Sequence, residues 1–241
     1  MKTLYSGLHK NRPTAFEMME AMLFILCDEE KGCDAVFVHA PAVKDAKEDD
    51  KILRLAVELN HKKPHPFVAI NGLSAEQCSG LGMPYPGWEN WVAKLIKLGV
   101  RKEHIVILPP SWNTPAESNN FILEAKKKKW RALTIISAPH HQLRAFLQII
   151  ASMKKLGIHV NVYNKTHHEI DWKKILTKQM INLNDKNNPK FAEIIRGTML
   201  EHVKEEYERI VKYARKDGGH ERNATIPEMF KYLKFRDKLN G

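Results

Sequence analysis

The sequence predicts an α/β protein: a mostly parallel five-stranded sheet with helices on both faces, followed by a helical C-terminal extension. Three observations predict it. Short apolar runs alternate with helical patterns of ten or more residues from Asp34 to Tyr163. The runs give way to Pro, Gly or Asn, which punctuate strand ends. After Thr166 the strand signals stop and only helical spacing continues. A helix between successive strands crosses over the sheet, so the strands run parallel and the connections are right-handed.

The first helix opens at Pro13 and Thr14. Its apolar run from Ala21 to Cys27 is too short for a bilayer, which needs about 20 residues, and reads as core-facing. Residues 1–30 are assigned to this helix and its approach, with no secretory signal. Asp34-Ala-Val-Phe-Val-His39 is a continuous apolar run suited to a strand buried on both faces. Ile52, Leu55, Ala56 and Leu59 set a helix from about Lys47 to Leu59. Pro66-Phe-Val-Ala-Ile-Asn71 is the second strand, ended by Gly72. Trp88, Trp91, Val92, Leu95 and Ile96 mark one side of a helix over Gly87–Leu98, stopped by Gly99. His104-Ile-Val-Ile-Leu108 is the third strand. Thr114–Lys129 is a helix with Pro115 in its first turn. Ala132-Leu-Thr-Ile-Ile-Ser137 is the fourth strand, Pro139–Leu156 a helix ended by Gly157, and His159-Val-Asn-Val-Tyr163 the fifth strand. Residues 31–166 are thus the α/β domain. Residues 167–241 form the extension, with helices at 172–181, 189–216 and 227–239, punctuated by Gly218 and Gly219. Few of its positions are strongly apolar, so it is expected to pack on the sheet domain rather than fold alone.

With 241 residues and 43% hydrophobic content, the chain can bury a core, and no stretch is low-complexity. It carries 39 basic and 28 acidic side chains, a formal charge of +11. That excess favours phosphate-bearing partners. Near the C-terminus it is interleaved, as in Glu205, Glu206, Glu208, Arg209, Lys212 and Arg215, the pattern of a solvated helix face. The dense run Lys126–Lys129 reads as a helix end, where cations suit the dipole, with a nucleic-acid patch as the alternative. Cys27, Cys33 and Cys78 lack metal-ligand spacing and cannot all pair, which fits free thiols in a reducing, cytoplasmic setting.

In an open parallel sheet, ligands bind where strands give way to loops at their C-terminal ends. There the sequence places His39 with Ala40-Pro41-Ala42, then Asn71 and Gly72, then Ser111, Trp112, Asn113 and Thr114, then Ser137, His140, His141 and Arg144. Asn113 or Thr114 caps a helix whose free N–H groups suit an anion; an ordinary cap is the plain alternative. His141 and Arg144 share a helix face. The guanidinium can grip a phosphate or carboxylate, and the imidazole can move a proton. Glu89 can bond a ribose or orient a histidine, or serve only as a dipole partner.

The series Asp34-Ala-Val-Phe-Val, Ile70-Asn-Gly, Gly87-Trp-Glu, Leu98-Gly-Val, Ser111-Trp-Asn-Thr and Ile136-Ser-Ala-Pro-His-His-Gln-Leu-Arg-Ala resembles the YdcF-like domain family, with its SanA- and ElyC-type members. The resemblance spans Asp34 to Tyr163. It implies a Rossmann-like fold and a small-molecule site, with S-adenosylmethionine a possible cofactor. The glycine-rich end of the family's first strand is His39-Ala-Pro-Ala here, and its Glu-Asn pair is displaced, with either Glu117 or Asn119 as the substitute. The membrane segments of some members have no counterpart.

No G-x-G-x-x-G, Walker G-x-x-x-x-G-K, H-E-x-x-H or G-x-S-x-G occurs. His39, His140, His141 and His167-His168-Glu169 are metal-capable, but adjacent histidines rarely ligate one ion, and no metal is expected. The leading reading is an enzyme on a nucleotide-like or phosphorylated small molecule. His141 and Glu89 handle protons, and Asn71, Gly72, Ser111, Asn113, Thr114, Arg144, His39 and His140 bind the ligand. A binding module without chemistry and a nucleic-acid binder with no sequence preference are the alternatives.

Overall fold

The computed structural model describes residues 13–29, 31–39, 46–62, 64–80, 85–166, 198–214 and 222–239. In chain order these form α1 (Ala15–Leu26), β1 (Ala35–Val38), α2 (Ala46–His61), β2 (Phe67–Ile70), α3 (Ala75–Gly80), α4 (Trp88–Lys97), a 3-10 turn (Lys102–His104), β3 (Ile105–Ile107), α5 (Thr114–Lys128), β4 (Ala132–Ile136), α6 (Pro139–Leu156), β5 (Asn161–Lys165), α7 (Met199–Tyr213) and α8 (Ile226–Leu239).

Every strand pair is parallel, and the order across the sheet is β3-β2-β1-β4-β5. The order runs outward one way from β1 to β3 and the other way from β4 to β5. The direction reverses between β1 and β4, and at such a switch point the strand ends of an open parallel sheet form a ligand crevice. Alternation along the strands splits the core in two. Ala35, Phe37, Leu133 and Ile135 face α1, α5 and α6, while Val36, Val38, Val68 and Ile70 face α2 and α4. Ile210 of α7 and Ile226, Met229 and Leu233 of α8 join the first cluster, so the described C-terminal helices share the core of the sheet.

The expected strands lie where the apolar runs placed them, with one displacement. β5 starts at Asn161 rather than His159, because Ala132 pairs with Asn161 and the ladder runs on to Lys165. Its polar residues are compensated singly: the Asn164 N–H and Nδ2 both donate to Asp28 at 3.0 Å. α3 and the 3-10 turn are too short to show a periodicity. Helix α1 buries Met18, Ala21 and Ile25 as expected, yet exposes Phe16, Met19, Leu23 and Phe24 on its other side. The run Lys126–Lys129 closes α5, with Lys129 in the left-handed region at φ 59°, and the neighbouring Trp130 is buried in the core. The expected helix at 172–181, the start of the one at 189–216, the residues Ala40-Pro41-Ala42 and His167-His168-Glu169, and Gly218 and Gly219 lie outside the described residues.

Candidate functional site

The polar residues that follow the strands meet at this crevice and bond chiefly to one another. Asn71, just past β2, is fully employed. Its Nδ2 donates to the Ser111 carbonyl at 2.7 Å and to Glu117 Oε1 at 2.8 Å. Its Oδ1 accepts from the Ser111 and Leu73 N–H groups, both at 3.1 Å, and its carbonyl accepts from the Tyr85 hydroxyl at 2.8 Å. Asn71 thereby fixes the ends of β2 and β3 against each other. Ser111 Oγ donates to the Pro109 carbonyl at 3.2 Å and accepts from Asn120 at 2.8 Å, which leaves it no base to activate it.

His39 leaves β1 with its N–H on the Ile136 carbonyl of β4 at 2.9 Å, directly at the reversal point. Its Nδ1 lies 3.2 Å from Glu117 Oε2, and both residues are buried. Its Nε2 is also buried and has no partner among the described residues. In the tautomer that donates Nδ1–H to Glu117, Nε2 presents its lone pair to the crevice.

A second network starts from α6. Arg144 donates Nε to Glu206 of α7, NH2 to the same carboxylate at 3.2 Å and NH1 to Thr114 Oγ1 at 3.1 Å. His141 Nδ1 lies 3.0 Å from Arg144 NH2 and 3.2 Å from Glu206 Oε2. Nδ1 serves one of these at a time: bare, it accepts from the arginine; protonated, it donates to the glutamate. Burial and the charge of Arg144 outweigh Glu206 and push the His141 pKa down to about 4, which favours the bare form. Burial alone raises the Glu206 carboxyl, but Arg144 and His141 together hold it well below the usual carboxylate range. The His39 and His141 rings meet edge to face at 5.8 Å, which joins the two networks.

Asn113 is exposed and caps α5, accepting the Ala116 N–H at 2.9 Å. The exposed Trp112 stands beside it. Of the remaining expected residues, His140 is buried with its ring centroid 5.6 Å from that of His202 of α7. Gly72 is small for a reason internal to the fold, since a Cβ there would lie 2.0 Å from the Leu108 carbonyl oxygen. Glu89 is exposed and caps α3, accepting the Ala75 N–H at 2.9 Å. Gly87, at φ 93°, lets these two segments touch. Cys78 lies nearby in α3, and burial with the charge of Glu89 pushes its thiol up to about 11, far from a nucleophile at neutral pH. All three cysteines are free.

Between the two displaced residues, Glu117 enters the crevice and Asn119 points to a separate cavity. Glu206 corrects the expectation of a solvated helix face, since it is 4% exposed. A signal for it existed: Glu206 shares a stripe with His202 and Ile210, four residues to either side, and all three are buried.

No family model matches the chain, and no curated protein matches it either. Among the described residues no helix is long and apolar enough to cross a membrane.

Proposed function

We propose that the protein is a YdcF-like enzyme that acts on a nucleotide-like or phosphorylated small molecule in the crevice between β1 and β4. The observation that supports this reading is the pair of buried histidines facing each other at 5.8 Å at the reversal point, each with a buried glutamate at Nδ1. Buried ionisable clusters cost stability, and they gather where chemistry needs them. In this reading His39 is the proton acceptor through Nε2, and Glu117 orients it. Arg144 and Thr114 hold the anionic group. The Glu206 carboxylate bonds the guanidinium at that place, so ligand entry displaces the α7 side of the crevice. Glu89, which caps α3, has no part in it. S-adenosylmethionine is one candidate ligand. The three free thiols fit residence in the cytoplasm.

A thermal-shift screen of S-adenosylmethionine, nucleotides and sugar phosphates tests the reading. A ligand at ~100 times its Kd should add about 2.7 kcal/mol of stability. Arg144→Ala should then weaken binding by roughly 1.5–3 kcal/mol. His39→Ala should abolish turnover while retaining most of the binding, since a positioned base contributes ~100–10,000-fold to rate. A second reading follows from the bonds Arg144 already makes to Glu206, His141 and Thr114: Glu206 is a brace that fastens α7, and the crevice stays closed. Glu206→Gln separates the two. It raises ligand affinity if the carboxylate competes with the ligand, and only lowers the melting temperature if it is a brace.

A further inference from the structure

A second cavity, of about 520 Å³, lies between α5, α6 and the segment that leads into α8. Its volume suits a small molecule. Gln148 and Ser152 of α6 line it, one and two turns beyond Arg144 on the same helix stripe, roughly 6 and 12 Å further along the axis. Asn223 lines it from the other side. Gln148 and Asn223 are at least 98% buried. Gln148 Nε2 and both amide atoms of Asn223 have no hydrogen-bond partner among the described residues. Buried amides are rarely left so, because desolvation without a partner is unfavourable. Nor are these amides needed to hold the segment. Its main chain does that, with the Asn223 N–H on the Tyr213 carbonyl at 3.0 Å and the Ala224 N–H on the Leu147 carbonyl at 3.2 Å.

We propose that this cavity binds a nucleoside monophosphate. The Asn223 amide offers a donor and an acceptor side by side, which is the complement of an adenine edge, and Gln148 adds a further donor. The rim supplies the phosphate contact. Lys154 and Arg222 line it there, with Lys154 on the Glu228 carboxylate at 2.7 Å. The Arg222 guanidinium supplies a fork of donors suited to a phosphate. The inference is independent of the reading of the β1–β4 crevice, because it uses none of that crevice's residues.

The test is calorimetric titration of the full chain with AMP, adenosine and ribose 5-phosphate. AMP should bind this cavity saturably, in the native chain and in Arg144→Ala alike, and adenosine and ribose 5-phosphate should each bind it at least about tenfold more weakly, as each lacks one half of the recognition. Asn223→Ala and Gln148→Leu should each weaken AMP binding by roughly tenfold or more. Arg144→Ala should leave the AMP affinity of this cavity within about twofold, because Arg144 does not line it. Gln148→Leu should melt no lower than the native protein without AMP, since it removes a buried Nε2 donor that has no partner among the described residues. The proposal fails if AMP does not saturate. It fails equally if Arg144→Ala abolishes AMP binding while Asn223→Ala retains it, or if Gln148→Leu lowers the melting temperature of the ligand-free chain.

Discussion

Glu206 and His141 make the protein's stability respond to acid. The histidine pKa drops from its ordinary value of 6.5 to about 4 on folding, so between those values the unfolded chain takes up a proton that the folded chain refuses. Stability is complete above about pH 6.5 and falls as pH decreases toward 4. The loss is on the order of 3 kcal/mol at full depth, at about 1.4 kcal/mol per unit. Glu206, whose carboxyl is held low, extends the loss below its unfolded value, in the same direction. Urea unfolding at pH 7 and pH 5 should show this fall, and His141→Gln should flatten it; an unchanged slope in that variant would place the titrating group elsewhere. His141 and Arg144 were readable because both sit at the start of a helix that follows a strand, three residues apart on one face. Glu206 was readable only in part. Its stripe with His202 and Ile210 marks it as buried, but its partner Arg144 lies 62 residues earlier, and spacing within α7 cannot name a partner on another helix.

The central strands β1, β2 and β4 were legible as apolar runs, interrupted only by Thr134, because both their faces are covered. β5 is an edge strand, and Asn161, Asn164 and Lys165 interrupt its pattern. Its start was therefore displaced toward the apolar residues Ile158 and Val160, which are buried just before the ladder begins. Gly72 illustrates the converse, a residue expected at a ligand whose small size element packing already requires. Its hydrogen faces the Leu108 carbonyl, a backbone atom that cannot give way. Gly72→Ala should destabilise by roughly 1–3 kcal/mol, the range for overpacking, with ligand affinity of the surviving folded fraction unchanged. A denaturation midpoint equal to that of the native protein would show that β2 and β3 can separate there at no cost.

At the scale of the molecule, one buried residue joins the described elements at either end of the fold. Arg236 of α8 donates to both oxygens of Asp28, at 2.8 Å each, and to the Val162 carbonyl of β5 at 2.8 Å. Its guanidinium also lies over the Tyr163 ring at 4.8 Å. Asp28 in turn holds Asn164, so α1, β5 and α8 share a single carboxylate. Arg236→Ala strands that carboxylate and should cost about 3–5 kcal/mol by equilibrium denaturation, the range for breaking a buried pair from one side. Arg236→Lys should recover only part, because an ammonium lacks the fork that spans both oxygens. A loss below about 1 kcal/mol would mean that water reaches Asp28 once the arginine is gone. The contact also has a kinetic meaning. Asp28 and Arg236 are 208 positions apart, so their meeting closes nearly the whole chain, and a loop of that length is expected to close after the local β-α-β units have formed. A contact made late in folding is broken early in unfolding. Its loss should therefore leave the folding rate nearly unchanged and speed unfolding by roughly two to four orders of magnitude. The ion pair would then set the lifetime of the folded protein, and with it the exposure of the chain to proteases.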